Sequence, residues 1–310
     1  MINNIFIFIV ALYMVIKGST MATNYAGRLA ESFRLSKYTV GFIIVAVISI
    51  LPETFIAINA AISGIPSFGL GVLFGSNVAD LTLIFAILVF YAGRSLKVES
   101  KILRNHVIYP FILLFPLVLG LDGYYTRIEG IALILAGAIF YYLALRDGTD
   151  GAMPEVPSNG RYKAILMLLV SMFVLLVGAH FTVTSATSVA NSLGVSPILI
   201  GMLIVGLGTT MPELFFSLRS IKKKDDSLAI GDLLGTVLAD ATIVVGILAL
   251  VSPFAFPQKI IYVTGAFMVT ASFVLFYFMK SGRAITKKEA HLLFFFWATF
   301  ILVELLVNRV

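Results

Sequence analysis

The chain has 310 residues, of which 60% are hydrophobic and only 12% charged, with a formal net charge of +6 and a pI near 9.4. That balance excludes an ordinary soluble domain, in which about a quarter of the residues are charged. The absence of cysteine excludes disulfides and thiolate metal sites and leaves the redox compartment open.

Hydropathy divides the chain into stretches able to span a bilayer, each needing about 20 apolar residues. In chain order the predicted spans are Ile5–Ser32, Tyr38–Ile62, Phe68–Phe90, Val107–Leu121 and Ile128–Leu145. A polar segment, Arg146–Lys163, follows. Five more spans are predicted at Ala164–Val189, Ile198–Leu218, Leu228–Val251, Ile260–Met279 and Leu292–Val307. The expectation is an all-α membrane protein of ten transmembrane helices: residues 1–145 form a first five-helix repeat, 146–163 a cytoplasmic linker, and 164–310 a second repeat. The opening Met-Ile-Asn-Asn lacks the basic n-region of a cleaved signal peptide, so the first helix is read as part of the mature protein.

The basic residues belong to the loops. Ten spans place Arg28, Arg34, Lys37, Arg94, Lys97, Lys101 and Arg104 on one side, with Arg146, Arg161, Lys163, Arg219, Lys222–Lys224, Lys280, Arg283, Lys287 and Lys288. Only Arg127, Lys259 and Arg309 fall opposite, and Lys17 lies within the first span. Positive loops mark the cytoplasmic face, so both termini are expected outside the cytoplasm and the chain is expected in the cell membrane. Loop charge accounts for the high pI without a nucleic-acid partner.

Within the spans a pattern recurs. Leu51-Pro52-Glu53 is followed 27 residues later by Asp80, and Met211-Pro212-Glu213 by Asp240, the two sets being 160 residues apart. At the same offset, without a gap, Gly18 matches Gly178, Gly41 matches Gly201, Gly71 matches Gly231, Gly75 matches Gly235 and Ala79 matches Ala239. Five spans per repeat is an odd number, so the second half must enter the membrane with reversed orientation. Such inverted repeats place equivalent residues face to face near the midplane, where broken helices build the sites of secondary transporters.

The chemistry of each repeat points to a cation. Proline removes an N–H, leaving the carbonyls near Ile48 and Gly208 without their helical donors. Irregular backbone is tolerated at membrane depth where it lines a polar cavity. Glu53 and Glu213 lie just past these breaks. Ser49 precedes Glu53 by four residues, as Thr209 precedes Glu213, Ser76 precedes Asp80 and Thr236 precedes Asp240. In a helix that spacing puts hydroxyl and carboxylate on one face. The result is an oxygen-only cluster suited to a hard cation such as calcium, which takes six to eight oxygens.

These residues resemble the cation/calcium antiporters that include the sodium–calcium exchangers. That family's repeats read Gly-Thr-Ser-Leu-Pro-Glu, then Gly-Asn-x-x-Gly-Ser-Asn-x-x-Asn/Asp. Here they are Gly208-Thr209-Thr210-Met211-Pro212-Glu213 with Gly231–Asp240, and Ile48-Ser49-Ile50-Leu51-Pro52-Glu53 with Gly71–Asp80. The resemblance implies exchange of calcium for sodium by alternating access. It makes Glu53 and Glu213 the central calcium ligands, with hydroxyls or carbonyls supplied by Ser49, Thr209, Thr210, Ser76 and Thr236. Asp80 and Asp240 flank the site. It further implies that the first and sixth helices slide against the rest. Expected partners are inorganic cations and the lipid bilayer, with no cofactor, nucleic acid or obligate protein partner.

The departures bear on coupling. Ile50 stands where a small hydroxyl is usual, Asp80 where asparagine is common, and Val72 and Asp232 where the motif has asparagine. Several carboxylates crowded at low dielectric must share protons or bind more cation, so proton–calcium exchange is the alternative on the same fold. A cation channel and an intramembrane aspartyl protease are more distant alternatives. The protease chemistry needs two acids and leaves both prolines and both glutamates unexplained. Outside the cluster, Asp232 stands between a cavity role and a membrane-boundary position, and Asn77 between cap and ligand. His180 is expected to be buried and hydrogen-bonded, and Lys222–Asp226 to form a solvated loop.

Overall fold

The computed structural model describes residues 2–30, 42, 45–99, 108–146 and 161–308. The start of the predicted second span, at Tyr38, and most of the predicted linker lie outside these residues. Ten helical segments are labelled here in chain order. They are α1 (Ile2–Ala30), α2 (Ala46–Ser49 and Leu51–Ile62), α3 (Pro66–Ala92), α4 (Ile108–Leu119) and α5 (Arg127–Arg146). The second set is α6 (Arg161–Leu193), α7 (Pro197–Lys222), α8 (Asp226–Val251), α9 (Ile260–Gly282) and α10 (Lys287–Val307). Eight of them are long and apolar enough to cross a membrane, whereas Leu51–Ile62 of α2 and α4 are shorter.

Local chemistry sets the ends. Pro66 and Pro197 occupy first turns, where a missing N–H costs nothing. Gly93 ends α3 in the left-handed conformation at φ 65°, which a β-carbon would disfavour. Thr286 and Glu289 form a reciprocal capping box at the start of α10. Sequence periodicity did not foresee the π-helical segments Asp80–Ile84, Gly201–Val205, Asp240–Val244 and Ile260–Gly265. Two of them begin on the aspartates of the repeat. An i→i+5 turn widens the helix and frequently accompanies a functional site.

The centre is α3 and α8. Ninety-four per cent of the apolar stretch of α3 is buried, against 22% for α10. The outer helices display Phe6, Ile9, Leu135, Ile139, Leu166, Phe173, Leu302 and Leu306 on their outer faces, the surface expected against lipid tails. α1 lies along α6, α3 packs across the first part of α7, and α8 packs across Ala46–Ser49.

Several contacts recur at the 160-residue offset. A Cβ on Gly75 would stand 2.3 Å from the Met202 carbonyl oxygen, and one on Gly235 would stand 2.2 Å from that of Phe42. Likewise a Cβ on Gly18 would meet Leu175 Cγ at 3.1 Å, and one on Gly178 would meet the Val15 nitrogen at 3.0 Å. Thr82 and Thr242 each donate to the carbonyl four residues earlier, Val78 and Leu238.

Two short ribbons tie the ends together. Strand β1 (Leu96–Lys97) pairs antiparallel with β4 (Ala284–Ile285), and β2 (Tyr124–Tyr125) with β3 (Phe254–Ala255). Beside the first ribbon, Arg94 grips Asp226 through Nη1–Oδ2 at 2.6 Å and Nη2–Oδ1 at 2.8 Å, and the Lys97 N–H donates to Asp226 Oδ2 at 2.9 Å. The Asp226 end of the expected solvated loop is therefore buried, while Lys222–Lys224 are exposed. Charge-assisted bidentate pairs are the stronger hydrogen bonds. Arg94→Gln is expected to lower the thermal midpoint of the purified protein through a loss of about 1–2 kcal/mol, and a midpoint equal to wild type would refute this.

Candidate cation-binding site

Each predicted site residue lies at a helix break, at the start of a π segment or one turn before it. In the first half, Ser49 closes Ala46–Ser49, Ile50 makes the turn, and Glu53 sits in the first turn of Leu51–Ile62. In the second, Thr209 closes Gly206–Thr209, Thr210 makes the turn, and Glu213 sits in the first turn of Met211–Lys222. Ser76 and Thr236 lie one turn before Asp80 and Asp240, which open their π segments.

The breaks are tighter than proline alone implies. The backbone N–H groups at the first break reach Ala46 O and Ile48 O, and those at the second reach Gly206 O and Gly208 O. The carbonyls expected to be bare thus each accept one bond, and a second lone pair remains on each.

Burial is nearly complete. Glu53 and Asp80 are 1% exposed, and Glu213, Asp240 and Asp232 are 0% exposed. Asp80, Glu213 and Asp240 each lie near enough to Glu53 to feel its charge, and Asp232 acts on Asp80 and Glu213. The cluster is therefore shared between the halves. One hydrogen bond crosses the same boundary, Ser49 Oγ donating to Asp232 Oδ1 at 3.2 Å, and the Thr209 side chain lies beside the Glu53 carboxylate.

The remaining hydroxyls are held by backbone. Thr209 Oγ1 donates to Gly206 O at 2.9 Å, Thr210 Oγ1 to Leu207 O at 2.9 Å, and Ser76 Oγ to Leu73 O at 3.0 Å. A hydroxyl whose proton is held this way keeps its lone pairs free for a cation. Several buried oxygens have no partner at all: both of Glu213, both of Asp240, Glu53 Oε2, Asp80 Oδ1, Asp232 Oδ2 and Thr236 Oγ1. A buried polar atom without a partner costs on the order of 1–3 kcal/mol, and more when charged. A cation satisfies many of these oxygens at once, so the donor set fits a hard ion.

Among the described residues, no three acids or histidines stand together as a ready-made metal-ligand group. Carboxylates alone do not complete a shell here. The hydroxyl and carbonyl oxygens at the breaks are the further donors available.

Sequence reasoning leaves Asp232 and Asn77 undecided and passes over Ser217. Asp232 is a fifth buried acid inside the cluster, not a boundary residue, and its counterpart is Val72. Asn77 is buried; its Nδ2 donates to Met268 Sδ at 3.5 Å and its Oδ1 is unpartnered. Ser217 is buried with an unpartnered Oγ, one turn after Glu213, a spacing that the hydroxyl–acid rule applied in the other direction would have found. His180 departs from its expectation: it is exposed, with its ring edge-on to Phe181 at 5.4 Å. Helix α6 turns that face away from the interior.

A family profile for the sodium/calcium exchanger protein matches residues 3–146 and 163–306. Inner membrane protein YrbG of Escherichia coli (strain K12) is 26% identical over 79% of this chain and 79% of its own length. Sodium/calcium exchanger MaX1 of Methanosarcina acetivorans is 23% identical over 97% of this chain and 98% of its own. Among solved structures, the sodium-calcium exchanger NCX_Mj shares the fold with a TM-score of 0.73, covering 97% of this chain and 98% of that one at 23% identity. The chain belongs to the sodium/calcium exchanger protein family and is a multi-pass membrane cation transporter, not an enzyme.

Proposed function

We propose that the chain is a secondary antiporter that exchanges Ca2+ for Na+ across the cell membrane by alternating access. Its ten transmembrane helices form two inverted repeats, 1–145 and 164–310, joined by the cytoplasmic linker 146–163, with both termini extracytoplasmic. The observation that carries this reading is the pair of Pro-Glu breaks, which buries Glu53 and Glu213 with unpartnered oxygens in one cluster flanked by Asp80 and Asp240. Calcium binds between Glu53 and Glu213. Ser49, Thr209, Thr210, Ser76 and Thr236 add neutral oxygens, and Asp80 and Asp240 complete the charge.

Exchange follows from electrostatics. Uncompensated carboxylates at membrane depth are too costly to pass a dry barrier, so the site crosses only when cations or protons neutralise it. Release of calcium on one side therefore requires another cation to take its place. Helices α1 and α6, which lie along each other, slide against the rest of the bundle to give the two access states.

A second reading, H+/Ca2+ exchange, draws support from Ile50, which brings no hydroxyl to the first break, and from Asp232, which adds a fifth acid. Proteoliposome calcium uptake separates the two. An outward sodium gradient alone is expected to drive uptake in the wild type, with Glu213→Gln as the inactive control. Uptake driven by an outward proton gradient alone would replace the sodium reading with the proton one. Failure of both gradients in a protein that still binds calcium would end the antiporter reading.

Asp232→Asn offers a sharper check on the fifth acid. It removes one charge and keeps the acceptor for Ser49. Apparent calcium affinity is expected to fall roughly 10-fold, the size of one lost buried charge contact of about 1.5 kcal/mol. An unchanged affinity would place Asp232 outside the ion's reach.

A further inference from the structure

A second polar feature lies away from the acid cluster. Helices α1 and α7 and the end of α3 enclose a cavity of about 410 Å³. Among the described residues, three cations line it, Lys17, Arg219 and Lys222, and no carboxylate does. Lys17 Nζ stands 5.5 Å from the Tyr13 ring centroid, and Arg219 Nη1 donates to Asn24 Oδ1, both neutral groups. Among the described residues, nothing within the cavity cancels its positive charge. Ile16, Phe215 and Leu218 supply apolar wall beside it, and Phe215 is 42% exposed on the outer face of α7.

The repeat supplies an internal control. At the 160-residue offset, Lys17 corresponds to Val177, Arg219 to Asn59 and Lys222 to Ile62. The counterpart positions thus carry no basic residue, and the basic cavity lies at the end that carries Lys222–Lys224. Loop orientation alone would place basic residues outside the spans. Lys17, in contrast, lies inside the apolar stretch Ile2–Ala22, five residues before its end, about 7 Å along a helix. A basic side chain at that depth normally faces a polar partner or a water-filled space.

We propose that this cavity holds the phosphate headgroup of an anionic phospholipid, with an acyl chain lying against Ile16, Phe215 and Leu218. The cations match the phosphate, and the apolar wall gives the chain a surface that a free phosphate has no use for. The lipid comes from the leaflet on the side of Lys222–Lys224, which is the cytoplasmic leaflet under the topology proposed above. Only that leaflet assignment rests on the topology. The site itself does not depend on which ion is exchanged.

The test uses the full chain in a neutral detergent, with native mass spectrometry and thermal unfolding as readouts. Titration with a phosphatidylglycerol is expected to leave one lipid retained and to raise the unfolding midpoint, while a phosphatidylcholine of the same chains does neither. Lys17→Gln/Arg219→Gln/Lys222→Gln is expected to weaken phosphatidylglycerol retention roughly 100-fold, since each basic residue is worth about 1 kcal/mol toward an anionic lipid. Because none of the three belongs to the acid cluster, the triple variant keeps wild-type calcium binding, which also shows that it folds. Asn59→Gln serves as the matched substitution at the counterpart position and keeps wild-type retention. Equal retention by triple variant and wild type, equal binding of phosphatidylcholine, or full displacement of the lipid by millimolar inorganic phosphate would each overturn the proposal. None of these outcomes touches the antiporter reading, which stands or falls on ion-driven uptake.

Discussion

Glu213→Gln is expected to reduce calcium uptake at least about 100-fold while leaving the protein folded. The side chain is fully buried and neither carboxylate oxygen has a protein partner. Glutamine keeps the shape and one oxygen but removes the charge and places two N–H groups where a cation would sit. Removing one partner of a buried charged contact costs about 3–5 kcal/mol, and each 1.4 kcal/mol is a factor of ten. A second readout separates binding from folding. Calcium is expected to raise the wild-type unfolding midpoint, by the equivalent of about 2.7 kcal/mol at 100 times the dissociation constant, and to leave that of Glu213→Gln unmoved. Because the variant no longer holds an uncompensated acid in the core, its midpoint without calcium is expected to equal or exceed that of the wild type. A calcium-dependent midpoint in Glu213→Gln would place the ion elsewhere.

Gly235→Ala is expected to be among the most damaging single methyl additions in the chain. Its Cβ would stand 2.2 Å from the Phe42 carbonyl oxygen and 2.5 Å from the Ala46 Cβ, distances that only a shift of the helices can relieve. Forcing a group into a packed core costs about 1–3 kcal/mol even where flexible side chains yield, and here the obstacle is backbone. The displaced pair is α8, which carries Thr236 and Asp240, and α2, which carries Ser49 and Glu53. Loss of folded protein on purification and loss of calcium binding are both expected. Gly282→Ala is the control: nothing lies within 4 Å of the added carbon, and alanine favours a helix by up to about 1 kcal/mol over glycine. Equal thermal midpoints for the two variants would contradict the close crossing.

Much of this architecture is legible in the sequence because lipid imposes a simple rule. A segment that crosses hydrocarbon must satisfy its backbone internally, so apolar runs predict helices and their ends fall within a few residues of the observed ones, as at Ile260 and Val251. The Pro-Glu pairs are equally legible, since proline breaks a helix wherever it stands and glutamate in lipid demands a reason. Other features follow from packing and leave no local trace. A two-residue strand such as Leu96–Lys97 has no periodicity to detect, and a π turn differs from an α turn by one unannounced residue. Asp232 was ambiguous because its depth depends on where α8 begins, which is Asp226, six residues earlier. His180 depends on the rotation of α6 about its own axis, which hydropathy does not reveal.

The ribbons carry a consequence for how the protein is made. Strands β1 and β2 come from residues before the linker, and both partners, β4 and β3, come from residues after it. The close crossings obey the same rule, with Gly75 waiting for Met202 and Phe42 for Gly235. A ribosome that has finished only the first half has therefore made helices whose strand edges and glycine grooves have no occupants. Tertiary assembly cannot proceed half by half, as it does in chains of independent domains; it must wait until the last helices have been inserted. Ribosome stalling or truncation before Ala284 would thus leave a membrane-inserted but unassembled intermediate, the form most open to quality-control proteolysis.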